Sequence, residues 1–205
     1  PVSIPSAYSI MVRSMDMSEV TLKAQKARLA SRRLASLDTA TKNRALRLMG
    51  ESLLDQKTVI FSENQKDLSA GRAKGMTPAL LDRLELSEKR VKGIVEGLKQ
   101  VETLPDPVGE VLEETTRPNG LHIKKVRVPI GVIAIIFESR PNVTVDSSSL
   151  CLKSGNATVL RGGSDAIHSN IAIWKVIRAA VKRAGAPEDA IQLIETTDRN
   201  AVKEL

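Results

Sequence analysis

The stretch PIGVIAIIFESRPNVTVDSSSLCLKSGNATVLRGGSDAIHSN, residues 129–170, alternates apolar runs with helical patterns. Its first apolar run, residues 131–137, is rich in valine and isoleucine and has no polar alternation, which predicts a parallel strand covered on both faces. Pro141 ends this strand because proline has no N–H to donate to a β ladder. A second short apolar strand is predicted over residues 157–160.

A helix is predicted after each of these strands. Residues 143–154 are expected to be helical, with Asn142 as the N-cap and Gly155 as the C-terminal stop. Ser164 or Asp165 is expected to cap the second, longer helix. The order strand, helix, strand, helix predicts an α/β fold with a parallel sheet.

Ligands of such sheets bind beyond the carboxyl ends of the strands, which here are followed by residues 138–142 and 161–165. In the second loop, Gly162 and Gly163 allow the backbone to approach a ligand, and Arg161 offers a fork of donors suited to phosphate. The helix that follows would direct its free N–H groups to the same place. A simple glycine turn explains these residues without a ligand, because glycine is a common turn residue.

The first loop contains Glu138, Arg140 and Asn142 at the end of the first strand, where a binding site is expected. The alternative is a local structural role, with Arg140 paired to Glu138 and Asn142 acting only as a helix cap.

The only cysteine, Cys151, excludes an internal disulfide and is compatible with a reducing, cytoplasmic compartment. It lies within a predicted helix between Leu150 and Leu152, which indicates a buried structural thiol. His122 and His168 have no neighbours at metal-ligand spacing, so both are interpreted as structural or surface residues and no metal site is predicted.

The composition limits the classes of function. The 205 residues carry a formal charge of +7, but the basic residues are dispersed among acids, which indicates a solvated surface. Aromatic residues make up only 2%, which argues against stacking on nucleic acid, whereas an anionic substrate would suit the positive charge. No stretch is long and apolar enough to predict a membrane span or a secretory signal, so a membrane partner is not expected.

Residues 18–108 are predicted to form a layer of helices, and residues 1–17 are expected to be a flexible leader. The predicted helix starts are Ser18, Asp38 or Thr39, Lys57, Thr77-Pro78 and Ser87.

Residues 109–128 predict a β-hairpin, because Asn119-Gly120 lies between two extended runs. Its arms are charged, which suits either an edge that avoids pairing or an arm that joins a neighbouring subunit's sheet. Residues 129–205 are then the first part of a doubly wound sheet, with a third strand at 191–194 and a further helix capped by Asp198. With three strands, the chain is expected to stop in the middle of the fold.

Several motifs resemble the γ-glutamyl phosphate reductase family of proline biosynthesis. They are ENQKDL, LLDRLEL, LPDPVGEV and RPNGLHIKKVRVPIG, followed by VIAIIFESRPNVTVDSSSLCLKSGNATVLRGGSDAIHSN, in the family's order. The resemblance runs from about residue 18 to residue 205. It implies an aldehyde-dehydrogenase-like fold, in which 18–108 belongs to the cofactor domain, 109–128 is an oligomerisation arm and 129–205 begins a Rossmann-type NADPH-binding sheet.

The same resemblance implies a reaction. Family members reduce L-glutamyl 5-phosphate with NADPH, through a cysteine nucleophile, to give L-glutamate 5-semialdehyde and phosphate. By position, Asn142 matches an oxyanion donor, and Arg161 and Ser164 match contacts to the adenosine ribose of the cofactor, with Gly162 and Gly163 between them. Glu138 and Arg140 belong to the signature loop without an assigned role.

Cys151 does not match the family's nucleophile, which lies in a catalytic domain that this chain lacks. The chain taken alone is therefore expected to be inactive. A non-enzymatic binding or scaffold module derived from the same family is the alternative.

Overall fold

In the computed structural model, which describes residues 17–205, eight α-helices and five β-strands follow one another along the chain. The helices are α1 (Glu19–Leu34), α2 (Thr39–Asp55), α3 (Lys57–Ala73), α4 (Pro78–Leu84), α5 (Glu88–Thr103), α6 (Asn142–Lys153), α7 (Ile167–Arg183) and α8 (Ala201–Glu204). The strands are β1 (Val111–Thr116), β2 (His122–Val126), β3 (Val132–Ile136), β4 (Ala157–Arg161) and β5 (Ile191–Leu193). The predicted leader lies outside the described residues, apart from its last position.

The predicted starts of the first helices are confirmed. The side chains of Ser18, Asp38, Thr77 and Ser87 each accept a backbone N–H three residues further along the chain. These bonds satisfy donors that have no partner inside the helix, so the starts of α1, α2, α4 and α5 are fixed locally by sequence. No helix in the described part of the chain combines the length and apolar character needed to cross a lipid bilayer.

Strands β3, β4 and β5 form a parallel sheet, as predicted, and the structure places them in that order. Strand β4 lies in the middle and is buried along its whole length, with α1 and α6 both packed against it. The same core includes buried side chains of α2 and α7, among them Leu46, Met49 and Ile173. The helical layer and the sheet therefore share one hydrophobic core.

The two-sided cover expected for residues 131–137 is not present within residues 17–205, which contain only part of the parallel sheet. Within the described sheet β3 pairs only with β4, and the Ile136 side chain is 55% exposed. An apolar run indicates a parallel strand, but it does not distinguish the central position of β4 from the edge position of β3.

Two of the predicted details around α6 can be compared directly with the structure. Gly155 ends the helix in the left-handed region, with a φ of +73°, as predicted. Asn142 is not the N-cap, because Pro141 already has helical angles (φ −59°, ψ −30°) and occupies that position. Asn142 is instead the first residue of α6, which leaves its side chain available for other contacts.

The predicted caps of the later helices are also wrong. Ser164 and Asp165 lie in a 3-10 turn, and α7 begins beyond it with Ala166 at its N-cap. Asp198 does not cap α8; its carboxylate accepts the N–H of Asn200 (2.9 Å) in the turn before the helix. Short polar side chains favour turns as well as caps, so the residue type alone did not separate the two.

The predicted hairpin is confirmed, with Thr116 paired to His122 in the antiparallel register. Its turn is closed by a bond from Arg117 N to Leu121 O (2.9 Å), and Gly120 has a φ of +82°. Every residue of β1 and β2 is exposed, and the hairpin forms a sheet separate from β3–β5. The hairpin thus projects from the core as an arm.

A buried ion pair holds the base of this arm. Lys42 is fully buried, and its Nζ lies 2.9 Å from Asp106 Oδ2. Asp106 also accepts Val108 N (3.0 Å) and the Thr39 hydroxyl (2.8 Å). Burial alone would raise the pKa of Asp106, but the bonds from Lys42, Val108 and Thr39 outweigh it and hold the pKa below its usual value.

Candidate active site

The two candidate loops lie side by side at the carboxyl edge of the sheet. Phe137 N, at the end of β3, donates to Arg161 O (3.0 Å), at the end of β4. Further along, Gly163 lies so close to the first loop that a Cβ added to it would be 3.0 Å from Ser139 N. The two loops that the sequence indicated, residues 138–142 and 161–165, are therefore neighbours at this edge.

The two glycines of the second loop are required by packing within the chain. A Cβ on Gly162 would meet the amide of Asn170 and would lie 3.0 Å from the Phe137 ring. A Cβ on Gly163 would meet the Ser139 hydroxyl. The space beside these two glycines is thus filled by side chains of the same protein rather than left open for a ligand.

Arg161 is directed into the protein rather than towards solvent. The residue is 8% exposed, and its Nη1 and Nη2 donate to the carbonyl oxygens of Gly162 (2.6 Å) and Thr197 (3.2 Å). Its Nε is buried without a hydrogen-bond partner in the described structure. The guanidinium therefore connects the end of β4 with the segment that follows β5, and both of its terminal nitrogens already donate one hydrogen bond within the protein.

The N-terminus of α7 is occupied by a carboxylate from another helix. Asp67 of α3, which is 2% exposed, accepts His168 N (3.2 Å), Ser169 N (2.8 Å) and the Ser169 hydroxyl (2.5 Å). A negative charge at this end of a helix is favourable, and it fills the place expected for an anionic ligand. Sequence reasoning missed Asp67 because no local pattern connects positions so far apart in the chain.

Ser164 differs from its neighbours in the second loop. It is exposed, and its hydroxyl makes no hydrogen bond within residues 17–205. Asp165 next to it forms an ion pair with Lys74 of α3 (2.9 Å). Ser164 is thus the residue of this loop whose side chain can still contact a ligand.

In the first loop, Asn142 is partly buried and is held by Asp146, one turn further along α6. Asn142 Nδ2 donates to Asp146 Oδ2 (2.9 Å), which leaves the second N–H of the amide without a partner there. Asp146 is exposed by surface area, but desolvation by the surrounding protein raises the pKa of its carboxyl, and the hydrogen bond from Asn142 acts in the opposite direction. Sequence reasoning missed Asp146, although a spacing of four residues on a helix was a usable signal.

Two cavities flank this loop. One has a volume of about 430 Å³ and lies between the loop, α6 and the segment that joins α4 to α5. The other, of about 370 Å³, lies on the side of the 3-10 turn. Arg83 of α4 and Arg140 line both cavities, whereas Asn142 and Asp146 line the larger one. Arg83 is a further residue that the sequence reasoning did not select.

Glu138 and Arg140 do not form the ion pair that the structural alternative predicted. The contact between them is a backbone bond from Arg140 N to Glu138 O (2.8 Å), and both residues are exposed. Their side chains make no hydrogen bond or ion pair to the rest of residues 17–205, so both remain available to a ligand.

The remaining candidates lie apart from the loops. Cys151 is 6% exposed, and burial raises the pKa of its thiol, which agrees with the structural role predicted for it. His122 bonds the Thr116 hydroxyl (3.0 Å) in the hairpin, and His168 lies 3.8 Å from Glu63. In the part of the chain that the structure describes, no three His, Cys, Asp or Glu residues are grouped as metal ligands.

Known proteins resemble this chain over most of its length. A γ-glutamyl phosphate reductase from Moorella thermoacetica is 57% identical over 184 residues, which are 90% of this chain and 44% of the relative. The crystal structure of γ-glutamyl phosphate reductase from Thermotoga maritima superposes with a TM-score of 0.90 at 45% identity, covering 91% of this chain and 45% of that one. No protein-family model matches the chain.

A more distant structure shows the wider fold. A probable aldehyde dehydrogenase from Listeria monocytogenes superposes with a TM-score of 0.70 at 15% identity, over 91% of this chain and 38% of that one. The predicted fold class, α/β and aldehyde-dehydrogenase-like with a partial parallel sheet, is confirmed. The chain belongs to the γ-glutamyl phosphate reductase family and spans slightly less than half of the length of the relatives that it matches.

Proposed function

We propose that this chain is part of an NADPH-dependent reductase that converts L-glutamyl 5-phosphate into L-glutamate 5-semialdehyde and phosphate, in L-proline biosynthesis. The term "complete reductase" denotes this chain together with the remaining length of its relatives. The reaction is that of the relatives, and the observation in this structure that supports it is the amide of Asn142, which is held by Asp146 and keeps one N–H unpaired among the described residues, on the wall of a cavity. The cytoplasm is the compartment that we propose, since the chain has a single, buried cysteine.

The chemical role of Asn142 follows from this geometry. When a nucleophile attacks the acyl phosphate, negative charge develops on the carbonyl oxygen. An N–H donor fixed beforehand stabilises that charge without having to reorganise during the reaction. The bond to Asp146 restrains the rotation of the amide, so the second N–H has a defined direction. The attacking cysteine would come from the part of the complete reductase that this chain does not span.

The second loop fits a nicotinamide cofactor in part. NADPH, when bound, supplies the hydride for the reduction. Ser164 has an exposed hydroxyl that could contact the ribose or its 2′-phosphate, and a neutral side chain there does not repel that phosphate. Arg161 is buried and its terminal nitrogens donate to Gly162 O and Thr197 O, so contact with the phosphate would require the side chain to reorient. We therefore assign cofactor contact to Ser164 and the shape of the Gly162-Gly163 turn to internal packing.

The substitution Asn142→Ala in the complete reductase tests the proposal. It should lower kcat by a factor on the order of 100 or more, the loss typical of one oxyanion donor. Ser147→Ala on the same helix is a matched control, because Ser147 makes no side-chain hydrogen bond within residues 17–205. A rate for Asn142→Ala within a few-fold of wild type would remove Asn142 from this role.

For the hairpin, residues 109–128, we propose the assembly of a homo-oligomer. The arm is exposed, it carries apolar side chains such as Leu112 and Ile123, and its edges have unpaired backbone groups. Removal of the turn 117–120 should give monomers in light scattering, while the Lys42–Asp106 pair keeps the base folded. An unchanged molar mass would show that the main contact lies elsewhere.

A further inference from the structure

Two arginines beside Asn142 are not explained by the roles described so far. Arg83, from α4, and Arg140, from the loop after β3, both line the two cavities. Both are exposed, and neither side chain makes a hydrogen bond or ion pair to any described residue. Each guanidinium can donate up to five hydrogen bonds in a planar fork that matches a carboxylate or a phosphate.

The larger cavity is not simply basic. Its wall contains three arginines and three carboxylates, so the formal charges cancel: Arg83, Arg90, Arg140, Asp82, Glu85 and Asp146. Arg90 is already bound to the carboxylate of Asp82 (2.8 Å) and to Glu85 O (2.8 Å). The side chain of Glu85 itself is exposed and has no partner in the described chain. Two arginines and one carboxylate without partners therefore face the same space as Asn142, and a second carboxylate, Asp146, is bound there only to the neutral amide of Asn142.

We propose that the larger cavity binds the zwitterionic α-amino-acid end of the substrate, with the α-carboxylate on Arg83 and Arg140 and the α-ammonium on Glu85. The inference rests on the proposed function, because it takes the substrate to be an amino acid whose reacting carbonyl lies at Asn142. A dianionic phosphate would meet unpaired acid in this cavity, whereas a zwitterion is complementary to it.

The position of Arg83 is fixed by a buried polar network. Asn64 of α3 donates to Leu84 O (2.8 Å) and accepts Leu86 N (2.9 Å), on either side of the end of α4. The same amide donates to the Ser169 hydroxyl (3.0 Å) at the start of α7. The residue next to Arg83 is thus tied both to the helical layer and to the helix that follows β4. The network thus fixes the backbone beside Arg83, while the exposed side chain stays free to turn towards a ligand.

The α-carboxylate and the phosphate belong to one molecule in the forward reaction. In the reverse reaction of the complete reductase they belong to two substrates, glutamate 5-semialdehyde and inorganic phosphate, so a KM can be measured for each. Arg83→Ala should raise KM for the semialdehyde about 10- to 100-fold, the loss expected for a charge-assisted bond, and leave KM for phosphate within about twofold. Arg140→Ala should act in the same direction. Arg72→Ala is the control, an exposed arginine of α3 that lines neither cavity, and should change neither constant.

The ammonium contact has its own test. Glutarate semialdehyde keeps the carboxylate and lacks the α-amino group, so the wild type should prefer glutamate semialdehyde in kcat/KM. Glu85→Gln should reduce that preference about tenfold. The proposal is overturned if Arg83→Ala raises only KM for phosphate, or if it moves neither constant while the wild type is active. A complete reductase with no turnover at all would instead refute the proposed function.

Discussion

The loops after β3 and β4 lie next to each other at one edge of the sheet, yet they use their polar groups in opposite ways. In the loop after β4, Arg161 is bound to two carbonyl oxygens and the helix that follows is capped by Asp67. In the loop after β3, Arg140 and one N–H of Asn142 have no partner among residues 17–205. A loop that contains glycine and arginine at the carboxyl edge of a parallel sheet is therefore not sufficient evidence of a binding site. What matters is which donors the fold has left unpaired.

The position of each strand explains the difference. Strand β4 is central and buried in the described sheet, so Arg161 at its end is surrounded by protein and directs its terminal nitrogens to carbonyl oxygens there. Strand β3 is at the edge of the described sheet, and the loop that follows it opens onto two cavities. Burial demands that polar groups be satisfied, whereas an exposed loop can keep its donors for a ligand.

The largest effect should come from the cap of α7. Asp67→Ala removes a buried acceptor of three hydrogen bonds and should lower the free energy of unfolding of the 205-residue chain by about 3 kcal/mol. Asp165→Ala, which breaks only the more exposed pair with Lys74, should cost less than about 1 kcal/mol. Urea unfolding measures both. Equal losses in the two variants would mean that the Asp67 cap is not a special feature of this loop.

A smaller loss is expected from the glycine that contacts the first loop. Gly163→Ala places a Cβ against Ser139 and should cost about 1–3 kcal/mol through overpacking. Gly97→Ala is the matched control, because a Cβ at this α5 position meets no atom within 4 Å. It should stabilise the chain by about 0.5–1 kcal/mol through better helix propensity. A neutral Gly163→Ala would show that the loops are not in the close contact described here.

Cofactor preference should change at Ser164. In the complete reductase, Ser164→Glu places a negative charge where we propose the 2′-phosphate, and should lower the NADPH-to-NADH ratio of kcat/KM about tenfold. Ser164→Ala, which adds no charge, should change the ratio by no more than a few-fold. If Ser164→Glu leaves the ratio unchanged, the residues that select NADPH lie elsewhere.

The features that were predictable from sequence depend on local patterns. Capping residues fix the helix starts at Ser18, Asp38, Thr77 and Ser87. Glycine marks the hairpin turn, and apolar runs of a few residues indicate the parallel strands. The errors concern interactions between distant segments. The cap of α7, for example, comes from Asp67 of α3. Arg83 was not predictable from sequence for the same reason, because only the fold brings α4 close to the loop after β3.

The smallest effect should come from Asp146, which we assign to positioning rather than to chemistry. Asp146→Ala keeps the donor Asn142 but frees its amide to rotate, so kcat of the complete reductase should fall about three- to tenfold, less than for Asn142→Ala. KM for the acyl phosphate should change little, because Asn142 acts on charge that appears only in the transition state.

The control variant Asp146→Asn retains a carbonyl oxygen that can accept the same bond and should recover most of the rate. If Asp146→Asn is as slow as Asp146→Ala, the carboxylate has a role beyond orienting the amide. If both keep the full rate, the amide of Asn142 is held by other means, and the contrast between the two loops rests on Arg140 alone.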